Sequence, residues 1–201
     1  MKIAIIDYGM GNLKSVYKAF LSLGLDAVVS SDAKEILRAD KVVLPGVGAF
    51  KDAMSELKKS GLTDVIYETV EKEKPFLGIC LGMQLLFDKS YEYGEVEGLK
   101  ILKGEIVKLD VPLKVPHMGW NTLKFIKKDP IFTGLADNSY VYFVHSYYLE
   151  TKEDIVSSTT DYGKEIAVSV QKDNIFGAQF HPEKSGDVGL QMLRNFGGIK
   201  S

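Results

Sequence analysis

Residues 76–84 read Phe76-Leu77-Gly78-Ile79-Cys80-Leu81-Gly82-Met83-Gln84, a buried-strand pattern that turns at its cysteine into a helical pattern. The apolar run Phe76 to Ile79 predicts a strand covered on both faces, and the residues from Leu81 to Asp88 predict a helix. A glycine stands two positions before and two after Cys80. Glycines at these positions permit a sharp strand-to-helix turn, because they remove the side chains that would collide there.

The rest of the first ninety residues alternates in the same way between strand and helix patterns. Strands are predicted at Lys2–Asp7, Leu25–Ser30 and Lys41–Leu44; helices are predicted after an Asn12 N-cap with a stop at Gly24, at Asp32–Arg38, from Phe50 to Gly61, and at Leu62–Lys72. From about residue 100, short runs rich in Val, Ile, Tyr and Phe predict mostly antiparallel strands: Lys103–Leu109, Thr122–Ile126, Tyr140–Leu149, Ile155–Thr160, Ile166–Gln171 and Ile175–Phe180. A last helix is expected at Val188–Phe196, stopped by Gly197-Gly198. We therefore expect one α/β domain over residues 1–201: a central, mostly parallel sheet flanked by helices, with added antiparallel strands.

Composition excludes several classes of function. The 201 residues carry 25 Lys and Arg against 27 Asp and Glu, a formal net charge of −2, which argues against a broad nucleic-acid-binding surface. A single cysteine excludes an intramolecular disulfide and a multi-cysteine zinc site. The first apolar run ends at Asp7, too early for a signal peptide, and the longest one, Phe76 to Phe87, is too short to span a bilayer. The expectation is a cytoplasmic protein that does not bind membranes.

Two interpretations of Cys80 are possible: a small apolar core residue or a nucleophile. The predicted turn favours the nucleophile, because it lifts the side chain above the carboxyl end of the sheet, where open α/β folds bind ligands. The partial positive charge of the following helix N-terminus favours the thiolate. The backbone N–H of Leu81 then becomes an oxyanion donor.

Among the three histidines, His181 is the best candidate for a base. Pro182 favours an extended conformation at His181, and extended residues two apart point to the same side, so Glu183 can orient the imidazole. The result is a Cys-His-Glu triad, with the alternative of a turn histidine beside a solvated glutamate. His145 is expected to be packed or pocket-lining, and His117 to lie on the surface near a partner.

These motifs together resemble a known family. Gly78 to Gln84 with His181-Pro182-Glu183 resembles the class I (triad) glutamine amidotransferases, whose domain is flavodoxin-like. Within them, four further segments resemble the glutaminase subunits of imidazole glycerol phosphate synthase: Asp7-Tyr8-Gly9-Met10-Gly11-Asn12-Leu13, Pro45-Gly46-Val47-Gly48, Pro116-His117-Met118-Gly119-Trp120-Asn121 and His181-Pro182-Glu183-Lys184-Ser185. The resemblance implies hydrolysis of L-glutamine to L-glutamate and ammonia without metal or cofactor. It also implies a heterodimer with a cyclase subunit that uses the ammonia in histidine biosynthesis.

The resemblance also implies roles for individual residues. Apart from the resemblance, the loop after the third strand lies beside the cysteine turn, and its two glycines let a peptide plane turn over at little cost. We therefore expect it to act as a switch, in which the Val47 or Gly48 amide completes the oxyanion hole. The alternative, a phosphate-binding loop, lacks the third glycine of a dinucleotide fingerprint. Gln84, Glu92, Ser146 and Tyr147 are expected to contact the amino-acid end of glutamine, although Gln84 could instead be a satisfied polar core residue. The cyclase interface is expected at Asn12, Met118, Trp120, Tyr142 and Lys184.

Three other functions remain open from the sequence. The chain could be the glutaminase subunit of another amidotransferase, or a standalone cysteine hydrolase of the same fold. It could also be a binding module with an incidental thiol. Trp120 itself could be a core aromatic residue instead of an interface anchor.

Overall fold

The predicted alternation of strands and helices is present in the computed structural model, which describes residues 1–200. The elements of the first half are β1 (Lys2–Ile6), α1 (Leu13–Ser22), β2 (Asp26–Ser30), α2 (Ala33–Arg38), β3 (Lys41–Gly46), α3 (Phe50–Lys59), α4 (Thr63–Glu71), β4 (Phe76–Cys80) and α5 (Leu81–Gln84). The second half is mostly strand: β5 (Lys89–Ser90), β6 (Val96–Glu97), β7 (Glu105–Lys108), β8 (His117–Thr122), β9 (Lys124–Phe125), β10 (Tyr140–His145), β11 (Tyr147–Glu150), β12 (Val156–Asp161), β13 (Glu165–Lys172) and β14 (Ile175–Ala178), followed by α6 (Gly186–Gly198).

A single large sheet organises the molecule, in the order β2-β1-β3-β4-β14-β13-β11-β7-β5-β6, with β12 and β9 attached through β13. The strands β2, β1, β3, β4 and β14 are mutually parallel. From β13 onward the pairing is mainly antiparallel, although β5 and β7 are parallel. The predicted fold class is therefore confirmed. The strand β14 connects the two parts of the sheet, because it pairs parallel with β4 and antiparallel with β13.

Helices cover both faces of the parallel strands, because successive residues of a strand point to opposite faces. Ala4 and Ile6 of β1 face a core that includes Met54 and Leu57 of α3. Ile3 and Ile5 face a second core that includes residues of α1 and α6, such as Phe20 and Phe196. Two apolar layers on one sheet give the α/β/α sandwich that the Ile-rich first strand predicted.

Two predicted helix boundaries are wrong. The helix after Cys80 ends at Gln84 instead of Asp88. The N–H groups of Leu86 and Phe87 bond three residues back, and the carbonyls of Leu85 and Leu86 accept hydrogen bonds from segment 99–102. The final helix continues through Gly197 and Gly198, which were expected to stop it. The side chain of Asn12 also does not cap α1 as predicted.

A separate two-stranded ribbon, β8 paired antiparallel with β10, lies outside the large sheet. The predicted continuous strand Tyr140–Leu149 is divided at Ser146, so that β10 belongs to this ribbon and β11 to the sheet. None of the helices within residues 1–200 is long and apolar enough to cross a lipid bilayer.

Candidate active site

Cys80 lies where β4 passes directly into α5, at the carboxyl end of the parallel strands. Its backbone has φ 53° and ψ −113°, a region that non-glycine residues rarely adopt. Such strain is maintained only where the surrounding structure enforces it, and it is characteristic of a nucleophile turn. The cysteine is paired in register with Gly46 of the neighbouring β3.

The two glycines that flank Cys80 permit close packing of this turn. A Cβ on Gly82 would lie 1.9 Å from the carbonyl oxygen of Leu44, and one on Gly78 would lie 2.7 Å from the Cα of Met83. Both neighbouring atoms are backbone, so they cannot rotate away. The glycine pattern in the sequence therefore reflects a real contact between α5 and the strands beneath it.

His181 and Glu183 are brought together next to the cysteine, because β14 pairs with β4 and the chain leaves β14 toward the same edge. The imidazole Nδ1 lies 2.9 Å from Glu183 Oε1, and both side chains are almost completely buried. The local conformation differs from the prediction: His181 is extended, but Pro182–Lys184 form one turn of 3-10 helix. That turn, rather than an extended strand, places the carboxylate beside the ring.

The electrostatic surroundings of His181 favour the protonated imidazole. Burial alone would lower its pKa, but the adjacent Cys80 and the carboxylate of Glu183 outweigh burial and raise the pKa well above its ordinary value. Within residues 1–200 the second ring nitrogen, Nε2, makes no hydrogen bond, although Cys80 is near enough to raise the pKa of the ring. Catalytic hydrogen bonds in unliganded enzymes are often long or poorly aligned in this way.

A cavity of about 310 Å³ opens beside Cys80. It brings together site residues that the sequence predicted from five separate segments, and it includes His145, which was expected to be packed or pocket-lining. It adds Pro116 and Val144, for which no such role was predicted. The complete lining is Val47, Gly48, Cys80, Leu81, Gln84, Glu92, Pro116, Val144, His145, Ser146, Tyr147 and His181.

Two of the predicted substrate contacts are already engaged within the protein. Gln84 Nε2 donates to the carbonyl oxygen of Tyr147 at 3.1 Å and to Oε1 of Gln179 at 2.8 Å. Glu92 Oε2 accepts a 2.7 Å hydrogen bond from the backbone N–H of Phe50, the first residue of α3. Gln84 is buried and hydrogen-bonded, as expected of a polar core residue, and it also lines the cavity.

The predicted oxyanion loop borders the cavity next to Cys80. A different structural constraint favours glycine at each of its two glycine positions. Gly46 is required by close packing, since a Cβ would lie 2.7 Å from the backbone nitrogen of Gly82. Gly48 has φ +98°, a conformation that glycine adopts without strain. Val47 between them is 38% exposed, so the loop is accessible at the cavity mouth.

Sequence reasoning missed Gln179 and misplaced His117. Gln179 is fully buried and its Nε2 lies 3.7 Å from Cys80 Sγ, but a lone glutamine at a strand end carries no recognisable signal. His117 is 2% exposed instead of lying on the surface. Its ring stacks on Phe143 and Tyr162, and its Nδ1 lies 3.0 Å from His145 Nε2.

The predicted interface residues form one continuous patch. Met118 and Trp120 of β8 are 61% and 55% exposed, so Trp120 is not a core residue. The Trp120 ring lies 6.0 Å from that of Tyr142, its partner in register on β10, and Lys184 Nζ lies 6.0 Å from the same tyrosine ring. Asn12, instead of capping its helix, reaches Glu183 Oε1 at 3.5 Å. The patch therefore adjoins the His181–Glu183 pair.

Comparisons with known proteins agree with this geometry. The sequence family described as "Glutamine amidotransferase class-I" matches residues 4–198. The chain is 56% identical to "Imidazole glycerol phosphate synthase subunit HisH" of Caldanaerobacter subterraneus over 97% of each chain. It is 54% identical to the protein of the same name in Bacillus cereus, over 98% of this chain and 94% of that one.

Solved structures agree on the fold. One described as a glutamine amidotransferase superposes with a TM-score of 0.76 at 18% identity, covering 98% of this chain and 99% of the other. "PurLQS from Thermotoga maritima" superposes with a TM-score of 0.74 at 17% identity, covering 97% and 96%. The chain therefore belongs to the class-I glutamine amidotransferase family and is similar over nearly its whole length to HisH subunits of imidazole glycerol phosphate synthase.

Proposed function

We propose that the chain is the glutaminase subunit of an imidazole glycerol phosphate synthase and supplies ammonia to a cyclase subunit. The observation that carries this proposal is the meeting of Cys80 and His181 at one cavity, with Glu183 bonded to the histidine and an exposed aromatic patch beside them. The similarity to HisH proteins over 97% to 98% of the chain supports the same function.

In the proposed reaction the Cys80 thiolate attacks the side-chain amide carbon of glutamine. The C–N bond breaks as protonated His181 gives its proton to the leaving nitrogen, which departs as ammonia, and a γ-glutamyl thioester remains on Sγ. His181 then takes a proton from water, whose oxygen attacks the thioester carbon. The C–S bond breaks, glutamate leaves, and Glu183 keeps the imidazole oriented throughout.

The negative oxygen that forms in each step needs donors placed in advance. We assign one to the backbone N–H of Leu81, the first residue after the nucleophile. The second is the N–H of Val47 or Gly48, on a loop whose glycine can change its peptide orientation at little cost. Structures of the enzyme without ligand, and with glutamine and activated cyclase, test this switch; identical loop peptides in the two would contradict it.

The amino-acid end of glutamine is proposed to bind at Gln84, Glu92, Ser146 and Tyr147. One oxygen of Glu92 holds the start of α3 through Phe50 N, and the other remains able to pair with an α-ammonium group. Glu92 would then connect substrate binding to the helix that follows the oxyanion loop.

A cyclase partner is proposed to dock on the patch formed by Asn12, Met118, Trp120, Tyr142 and Lys184. Exposed aromatic residues with a neighbouring cation are typical of interface anchors. Docking also protects the product, because ammonia released into water becomes unreactive ammonium. Since Lys184 follows Glu183 directly, Lys184→Ala should reduce stimulation by the cyclase more than basal glutamine turnover, and unchanged stimulation would refute that link.

The deciding experiment measures glutamate release by the chain alone, with the cyclase subunit, and with the cyclase and its nucleotide substrate. Turnover should rise strongly with the complete system. Cys80→Ala should abolish synthesis from glutamine in the complex but retain synthesis from added ammonium salts. High turnover without any partner would instead favour a standalone cysteine hydrolase and contradict the synthase assignment.

A further inference from the structure

Gln179 is a buried polar side chain that contacts Cys80 and for which the reaction above has no role. It is 0% exposed and follows β14 directly, two residues before His181. Its Nε2 lies 3.7 Å from Cys80 Sγ, within hydrogen-bonding distance for sulfur. Its Oε1 accepts a 2.8 Å hydrogen bond from Gln84 Nε2. Burying an amide is costly unless its N–H and carbonyl groups form hydrogen bonds, and both groups of Gln179 do.

The orientation of both amides follows from a backbone carbonyl. The oxygen of Tyr147 can only accept, so the Gln84 group that faces it at 3.1 Å must be the nitrogen. The second N–H of Gln84 then donates to Gln179, whose oxygen must face it. Gln179 therefore turns its own N–H toward Cys80 Sγ. Reversing either amide would set two acceptors or two donors against each other.

Two chemical consequences follow at opposite ends of this chain of bonds. At Cys80, an N–H donor stabilises the thiolate more than the thiol, because a hydrogen bond to the charged form favours that form. At Gln84, both N–H groups are occupied, so only the carbonyl oxygen remains to bind substrate. An acceptor suits the α-ammonium group of glutamine and does not suit its α-carboxylate.

We propose that Gln179 is a further catalytic residue: it donates to the Cys80 thiolate and occupies the second N–H of Gln84, which leaves only the carbonyl oxygen of Gln84 to accept a hydrogen bond from the substrate. The inference rests on the proposed glutaminase function for its substrate half. The contact with Cys80 stands on the protein geometry and can be tested without glutamine.

The first test follows alkylation of Cys80, the one cysteine of the chain, by iodoacetamide as a function of pH. In Gln179→Leu the midpoint of the profile should move upward by about one pH unit, because the thiolate loses its donor. Gln171→Leu is the matched control: this glutamine bonds Asp173 O on an exposed part of β13, and its profile should equal that of the native chain. A native profile in folded Gln179→Leu would overturn the proposal.

A second variant covers the case in which Gln179→Leu does not fold, as judged by circular dichroism. Gln179→Glu keeps the size of the side chain and its acceptor toward Gln84, but it replaces the donor facing sulfur by a carboxylate oxygen. Its alkylation midpoint should also move upward by at least about one pH unit. An unchanged midpoint in this folded variant would refute the contact.

The substrate half is measured as KM and kcat for glutamine in the complex with the cyclase subunit and its nucleotide. Gln84→Leu should raise KM about tenfold, because the substrate loses its acceptor, whereas Gln179→Leu should raise KM and also move the alkylation midpoint. Native KM in Gln84→Leu would overturn the acceptor role. If the native complex does not hydrolyse glutamine, the proposed function fails, but the alkylation profiles still decide the Gln179–Cys80 contact.

Discussion

Acidification from pH 6.5 to 4.5 should weaken the native state through two buried histidines. His145 Nδ1 lies 2.9 Å from the carbonyl oxygen of Tyr147, so this nitrogen carries the proton and Nε2 is an acceptor. His117 Nδ1 must then donate to His145 Nε2, across 3.0 Å. Both rings are neutral in this arrangement. A proton added to His145 Nε2 would place two N–H donors against each other.

The magnitude follows from the pKa values of the two rings. Burial lowers the pKa of His117 and of His145 from 6.5 to about 4. Between these values the unfolded chain binds protons that the native chain does not, so stability is lost as pH falls. The loss from pH 6.5 to 4.5 is about 2 kcal/mol for each histidine. Because the rings share one bond, about 4 kcal/mol is the upper limit, a large part of the roughly 5–15 kcal/mol typical of native proteins.

Asp129 acts in the opposite direction over the same range. Its carboxyl is 4% exposed, and burial raises its pKa to about 6, so its contribution to stability is lost as pH rises from about 4 to 6. Asp129→Asn removes this opposing change of the free energy of unfolding with pH, and the variant should be more stable than the native chain at pH 7. His181, with a raised pKa, is protonated in the native state throughout this range, and its small contribution near pH 6.5 cancels when two variants that both retain it are compared.

The assay is urea unfolding at pH 6.5, 5.5 and 4.5, followed by far-UV circular dichroism, in the Asp129→Asn background. The free energy of unfolding should fall by 2–4 kcal/mol more in this background than in the same background with His117→Gln and His145→Gln. An equal fall in the free energy of unfolding between pH 6.5 and 4.5 in the two proteins would refute the assignment of His117 and His145 as neutral rings bonded to each other.

Three further predictions concern the turn, the triad and the patch. Gly82→Ala should lower the free energy of unfolding in urea by more than about 3 kcal/mol, because its Cβ would lie 1.9 Å from a backbone oxygen. Gly198→Ala is the matched control: its Cβ would have nothing within 4 Å, so it should stabilise α6 by roughly 0.5–1 kcal/mol. A Gly82→Ala protein as stable as the native one would contradict the packing. Glu183→Gln should lower kcat for glutamine about 10²–10⁴-fold in the complex while synthesis from ammonia persists, and equal loss of both activities would show a structural role only. Trp120→Ala should weaken cyclase binding about 30-fold in calorimetry. The temperature of unfolding should stay unchanged, because the ring is 55% exposed. Native affinity in this variant would contradict an interface at this patch.

Local signals were sufficient to predict the centre of the fold and the sharp turn that carries Cys80. The strand, the cysteine and the flanking glycines occupy nine consecutive residues, and steric exclusion acts among near neighbours along the chain. The His181–Glu183 pair could also be predicted, since the two residues are close in sequence. Its conformation could not, because Pro182 begins a helical turn that the sequence does not distinguish from an extended segment.

Other features depend on residues far apart in the chain. Gln179 meets Gln84 and Cys80 across separations of 95 and 99 residues, and only the parallel pairing of β14 with β4 creates those contacts. The burial of His117 likewise depends on the register of β8 with β10, which alternates exposed Trp120 with inward-facing rings. The sequence by itself determined that this protein has an α/β sheet with a cysteine on a strained turn, because those effects are local. Tertiary structure alone decided which polar groups surround the sulfur, because hydrogen-bond partners are set by the pairing of distant strands.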